Sequence, residues 1–146
     1  MIRRLAVLLA LSAGTVVVGA PPAHDASALP FGKIYYNSPG SDTRTNTSLN
    51  AEYVVIKNTS STTKCLTGWT VRDAAGHVYK FGTFCLGGYK SVTLHTGRGT
   101  NTAAHRYWGS GNYIWNNTGD KAYLRNGAGT QMDYCAWGSG VGYLTC

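Results

Sequence analysis

The feature of this sequence that most constrains its fold is a period-two alternation of apolar and polar residues in short segments. "EYVVIKN" places Val54 and Ile56 on one face, and "KSVTLHT" places Val92 and Leu94 on one face. No segment after residue 30 carries a sustained helical period, and glycine or asparagine separates the alternating segments. We therefore predict an all-β, antiparallel β-sandwich of seven to eight short strands. Further pairs predicted to share a face are Trp69 with Val71, Tyr79 with Phe81, and Ala122 with Leu124.

Four cysteines indicate how such a sandwich is held together. An even number of cysteines in an exported chain favours two disulfides, for which three pairings are possible. We favour Cys65–Cys85, because both cysteines alternate with apolar neighbours and therefore share an outer face. We also favour Cys135–Cys146, which would tie a glycine-rich tail to the last strand. No C-x₂-C pair is present, so the sequence predicts no zinc site.

The amino-terminal segment is typical of a secretory signal peptide. Arg3 and Arg4 precede an apolar run, and Ala26-Ser27-Ala28 is favoured over Val18-Gly19-Ala20 as the cleavage signal. We predict a signal over residues 1–28 and one secreted domain over residues 29–146, without a membrane span after processing.

The charge of the predicted mature chain favours anionic partners. The full chain has 13 basic and 6 acidic residues and a formal net charge of +7. Removing Arg3, Arg4 and Asp25 with the signal leaves eleven basic and five acidic residues, a net charge of about +6. Nucleic acid and cell-wall polymers are the partners that such a charge attracts, although it also keeps a small secreted domain soluble.

The order of several motifs resembles that of a known family. These motifs are "NAEYVVIKNTS", "LTGWTVRDAAGHVYKF", "GGYKSVTLHTGRGTNT", "YWG" and "IWNNTGDKAYLRNGAGTQMDYC". Over about residues 32–135 the chain resembles the lamin tail domain in its bacterial secreted form. The resemblance implies an immunoglobulin-like sandwich that acts as a binding module without catalytic machinery. In bacteria such domains often accompany nuclease or hydrolase domains, and no such domain is recognisable in this sequence.

Catalysis and nucleotide binding have little support in the residues. "GRGT" lacks the lysine–serine pair of a phosphate-binding loop, and no G-x-S-x-G motif is present. His77, His95 and His105 could act as bases if an aspartate oriented them. The "WNNTGD" segment fits a structural turn better than a site. We therefore predict no enzyme activity and no cofactor, and keep a small nuclease or hydrolase using His95 or His105 as an alternative.

Aromatic and basic residues between positions 98 and 121 carry the binding hypothesis. Aromatic rings can stack on bases or sugars, while arginines and lysines pair with phosphates. We predict that a monomeric, secreted domain binds an anionic polymer, either DNA or cell wall. A protein–protein interaction or inhibitor role is the alternative. The candidate binding residues are Arg98, Arg106, Tyr107, Trp108, Tyr113 and Lys121.

Overall fold

The computed structural model describes residues 28–146, which form eleven strands and one short helix. The strands are β1 (Phe31–Tyr35), β2 (Tyr53–Lys57), β3 (Lys64–Cys65), β4 (Thr70–Arg72), β5 (Val78–Lys80), β6 (Cys85–Leu86), β7 (Ser91–His95), β8 (His105–Tyr107), β9 (Gly119–Arg125), β10 (Gln131–Gly138) and β11 (Tyr143–Thr145). The helix α1 (Asn46–Asn50) lies between β1 and β2.

Two sheets form the layers of the sandwich. The five-stranded sheet has the order β11-β1-β2-β7-β8, and the four-stranded sheet has the order β10-β9-β4-β5. Strands β3 and β6 form a third, two-stranded sheet. All pairs are antiparallel except β7 with β8, which is parallel. The predicted all-β, immunoglobulin-like sandwich is confirmed.

The predicted count of seven to eight strands is too low, since the described residues contain eleven. The additional strands β3, β6, β8 and β11 have only two or three residues each. So few residues show no recognisable alternation, and their pairing depends on partners that are distant in sequence. Helix α1 was not predicted for a similar reason. It has five residues, of which only Leu49 is buried, and it is capped by the side chain of Thr45.

One apolar core contains residues from all three sheets. The pairs predicted to point inward from the clearest strands are buried, with at most 1% of each side chain exposed. Burying a valine, leucine or isoleucine side chain contributes roughly 1.5–3 kcal/mol, so these positions add substantially to the stability of the sandwich. These residues are Val54, Ile56, Val92, Leu94, Ala122 and Leu124.

Both predicted disulfides are present, and no free cysteine remains in residues 28–146. Cys65 and Cys85 lie opposite each other in the β3–β6 pair and are exposed, while Leu66 and Leu86 beside them are buried. The Cys135–Cys146 disulfide joins β10 to the end of the described chain, next to β11.

Most of the predicted signal peptide lies outside the described residues. Its last residue, Ala28, is described, and its carbonyl accepts hydrogen bonds from the amide and hydroxyl of Thr59. Within the described part of the chain, no helix is long and apolar enough to cross a membrane.

Removing the Cys65–Cys85 disulfide tests how much the third sheet depends on it. We expect Cys65→Ser/Cys85→Ser to lower the free energy of unfolding by about 3 kcal/mol, because the bond closes a loop of 20 residues in the unfolded chain. Urea denaturation followed by tryptophan fluorescence measures this change. An unaltered midpoint would show that the sheet holds without the bond.

Candidate functional site

The carboxylates of this domain are used inside the fold. Residues 28–146 contain five, and four of them accept hydrogen bonds from backbone amides: Glu52, Asp73, Asp120 and Asp133. Only Asp42 is fully exposed in a loop. A carboxylate that accepts backbone N–H groups stabilises the loop carrying those groups, because buried amides need an acceptor.

Asp120 shows how one carboxylate joins three segments. Its Oδ1 accepts from the amides of Ala74, at 3.0 Å, and Lys121, at 2.7 Å. Its Oδ2 accepts from the amide of Asn116, at 2.9 Å. The β4–β5 turn, the start of β9 and the preceding loop are thereby held together. "WNNTGD" is therefore a structural turn, and Trp115 at its start is buried in the core.

Glu52 holds the long loop that leads from β8 towards β9. Its Oε1 accepts from the Thr96 hydroxyl at 2.6 Å and from the amides of Ile114 and Trp115 at 2.8 and 3.3 Å. Its Oε2 is buried and has no partner among the described residues. Burial raises the pKa of Glu52 to about 7, although the three hydrogen bonds act in the opposite direction.

The basic side chains, in contrast, lack carboxylate partners. Within residues 28–146 the one ion pair is that between His77 and Asp73, and no lysine or arginine forms one. The negative charge is therefore mostly internal, while the positive charge is distributed over the surface. Surface cations without carboxylate partners are free to interact directly with an anionic group.

The outer surface of the four-stranded sheet, which we call the basic face, concentrates these cations. Side chains alternate between the two surfaces of a sheet. The inward positions include Val71, Ala122 and Leu124. The outward positions include no carboxylate, because Asp120 is buried and Asp133 lies opposite inward-facing Leu124. The basic face consists of Arg72, Lys80, Lys121, Tyr123, Arg125 and Tyr134.

The strand register fixes the spacing of the basic face. Arg72 lies opposite Tyr123, and Tyr123 lies opposite Tyr134, so these three residues form one row. Lys80 and Arg125 both pair with Thr70, on opposite sides of it, in a second row. Strands about 4.8 Å apart place Lys80 and Arg125 about 10 Å from each other at the backbone. An extended chain with regularly spaced anionic groups could contact several of these cations together.

The two arginines of the basic face lie against the sheet. The Nε atoms of Arg72 and Arg125 are buried and have no hydrogen-bond partner among the described residues. The Arg125 guanidinium carbon lies 6.0 Å from the centre of the Tyr123 ring. The Tyr134 ring is 54% exposed. The basic face thus offers cations next to a partly exposed pair of rings, which is the combination that contacts phosphates and planar groups.

The six binding residues predicted from the sequence do not lie on one surface. Lys121 alone belongs to the basic face. Arg106 pairs with inward-facing Leu94, and its guanidinium carbon lies 4.1 Å from the centre of the Phe84 ring. Trp108 packs against the core and contacts Trp115 edge to face. These two side chains therefore cover the edge of the core.

The remaining predicted residues lie around the five-stranded sheet. The Tyr113 hydroxyl is 2.6 Å from the Ser48 hydroxyl and ties the long loop to α1. Arg98 is exposed, and its carbonyl accepts from the side-chain amides of Asn46 and Asn50. The role of all six residues in binding stays a prediction.

Tyr107 belongs instead to a row of rings across the outer surface of the five-stranded sheet, which we call the aromatic row. The neighbours in register are Tyr143, Tyr35, Tyr53, His95 and Tyr107. Their ring centres are successively 5.3, 5.6, 5.9 and 5.0 Å apart. The two outer pairs are stacked, so much of each ring face is covered by its neighbour.

The three histidines considered as candidate general bases lie in two separate places. His95 and His105 contact each other at the aromatic row. Burial lowers the pKa of His95, with His105 acting in the same direction. His77 lies by a pocket of about 330 Å³ together with Asp73 and Asp120, and its Nδ1 contacts Asp73. No serine, threonine or cysteine lines this pocket, and both carboxylates already accept backbone amides. The described residues of the His77 pocket therefore do not form an assembled catalytic site, and the nuclease or hydrolase alternative stays a prediction.

Two packed sheets of mainly antiparallel strands place this domain in the immunoglobulin-like class of β-sandwich domains. The chain belongs to the lamin tail domain family, whose model matches residues 22–139. No protein of curated function matched the sequence. The predicted resemblance is therefore confirmed at the level of the family.

Sequence reasoning missed five of the six residues of the basic face: Arg72, Lys80, Tyr123, Arg125 and Tyr134. The sequence signal for these residues was the set of polar positions that alternate with the apolar ones in each strand, such as Thr70 and Arg72 in "WTVRD". Knowing that these strands are neighbours requires the order of the sheet, which the sequence pattern does not contain.

The buried Glu52 carboxylate generates a pH-dependent stability. Its pKa of about 7 in the fold exceeds the ordinary glutamate pKa of 4.5, so the folded protein holds a proton more tightly than the unfolded chain. This contribution is fully present below pH 4.5 and is lost as the pH rises through 7. We expect wild type to lose up to about 3 kcal/mol of stability from this group between pH 4.5 and 8.

Urea denaturation of wild type and Glu52→Gln at several pH values measures this loss. The glutamine amide does not titrate, so the difference in unfolding free energy between the two proteins should change with pH by that amount. Parallel pH profiles for the two proteins would contradict the assignment.

Proposed function

We propose that this domain is a non-catalytic binding module for anionic polymers, and that the basic face is its contact surface. The observation that carries the proposal is the separation of charge. Four of the five carboxylates accept amides within the fold, whereas the basic face presents four cations and no carboxylate. Extracellular nucleic acid and anionic cell-wall polymers share the chemistry that such a face recognises.

The arrangement of the basic face also supports an extended ligand. The cations are distributed over three strands of a twisted sheet, so a chain of anions lying across the strands would meet them in succession. The rings of Tyr123 and Tyr134 add contacts for planar or apolar parts of the polymer. The site therefore suits repeated weak contacts better than the enclosure of a small molecule.

We propose that the domain acts outside the cell. Its two disulfides support this, because such bonds persist in oxidising compartments. The predicted signal peptide supports the same location. An exported module would meet wall polymers or released nucleic acid at concentrations that suit a low-affinity surface.

Charge reversal of two lysines on the basic face tests the proposal. Lys80 and Lys121 are exposed, and no side-chain partner would be lost on substitution. We expect Lys80→Glu/Lys121→Glu to weaken binding to a DNA oligonucleotide, and to a wall polymer, by at least about tenfold, and to lower the salt dependence by roughly one counterion per lost phosphate contact. Fluorescence anisotropy over a salt series measures both quantities.

The matched control is Lys57→Glu/Lys90→Glu, which changes the net charge equally on exposed residues outside the basic face. It should reduce affinity far less. Equal losses in both double variants would assign binding to net charge alone. Absence of binding by wild type at low ionic strength would overturn the proposed function, and binding that survives moderate salt would favour a protein partner instead.

A further inference from the structure

Two imidazoles meet at one end of the aromatic row. His95 ends β7, and His105 begins the parallel neighbour β8. The His95 Nε2 and His105 Nδ1 atoms are 3.0 Å apart, and the ring centres are 5.2 Å apart. Both nitrogens belong to side chains on the outer surface of the five-stranded sheet, on the other side of the sandwich from the basic face.

The orientation of His95 is set by the backbone. Its Nδ1 lies 2.8 Å from the carbonyl oxygen of Asn50, which can only accept, so Nδ1 carries the proton. The Nε2 lone pair of the neutral ring is therefore directed towards His105. Asn50 is itself held in place, because its side-chain amide donates to the carbonyl of Arg98 at 2.9 Å. A backbone carbonyl on the distal nitrogen is the arrangement that orients histidine ligands in metal sites.

We propose that His95 and His105 together bind one divalent transition-metal ion, with a preference for copper(II) or nickel(II). The ion takes the place of the N–H···N hydrogen bond that joins the two nitrogens in the metal-free protein. His105 is exposed, so its proton can move to Nε2 and leave Nδ1 as a ligand.

The chemistry of the two ligands carries the choice of metal. Metal–imidazole bonds of about 2.0–2.1 Å to nitrogens 3.0 Å apart meet at an angle of about 91–97°, which square-planar and tetragonal copper(II) and nickel(II) complexes accept. The two nitrogens now face each other along their hydrogen bond, so the exposed His105 ring turns on binding to bring both lone pairs to the ion. Affinity for nitrogen ligands also rises towards copper(II) along the first transition series.

The surroundings limit the site to these two protein ligands. The five strands of this sheet contain no carboxylate, and the described residues include no free thiol and no cluster of three or more potential ligands. Water would complete the coordination. Calcium and magnesium, which need several oxygen ligands, have no comparable set here.

Copper(II) titration of the untagged mature protein tests the assignment. Electron paramagnetic resonance in a buffer that does not chelate metals should show one tetragonal copper(II) site per chain, with hyperfine coupling to imidazole nitrogens. We expect His105→Ala to abolish this saturable site without lowering the melting temperature, because His105 is exposed. His77→Ala is the matched control, because His77 is the remaining histidine of residues 28–146 and lies apart from this pair. It should leave the copper signal unchanged.

Each alternative outcome has one meaning. Equal binding by wild type and His105→Ala, or loss of binding in His77→Ala alone, would overturn the assignment. A preference for zinc over copper(II) and nickel(II) would overturn the proposed choice of metal. The site does not depend on the proposed function, since Lys80→Glu/Lys121→Glu should bind copper(II) like wild type even where it no longer binds an anionic polymer.

Discussion

Hydrogen bonds from loop amides to buried carboxylates are the constraint on which the arrangement of this domain depends. Strands of two to eight residues leave much of the chain in loops, whose amides need acceptors where they are covered. Glu52 holds the loop that reaches Trp115, and Asp120 joins that loop to the β4–β5 turn. Without these acceptors the loops would lose their fixed path over the ends of the sandwich, although the apolar core itself would remain.

The same bonds determine the electrostatics of the surface. Because residues 28–146 have few carboxylates and direct most of them inward, the lysines and arginines of this part of the chain have no carboxylate partners. The two outer surfaces then differ because of the residues in their strands. The basic face combines cations with tyrosines, whereas the opposite surface carries the aromatic row with paired imidazoles. One sandwich therefore presents two surfaces of different chemistry, for which we propose an anionic chain and a copper(II) or nickel(II) ion as the respective ligands.

The contrast between the predicted and observed positions of the binding residues has a physical cause. Arg106, Tyr107 and Trp108 are adjacent in sequence, and the alternation of β8 sends Tyr107 to the outer surface while Arg106 covers the edge of the core. Residues adjacent in a β-strand thus direct their side chains to opposite surfaces of the sheet. Residues of the basic face come from four strands, and only Lys121 lies between positions 98 and 121, where the binding residues were predicted.

Sequence alone determined the local properties of this chain, which are the inward faces of the clearest strands and the turn at "WNNTGD", and it favoured the observed cysteine pairing and the observed family. These properties follow from period-two alternation and from residue chemistry, both of which act over a few positions. Tertiary structure decided the order of the strands, the parallel pairing of β7 with β8, the very short strands and the neighbours on each outer surface. Those features depend on contacts between segments distant in sequence, where register and sheet order, rather than local pattern, decide which side chains meet.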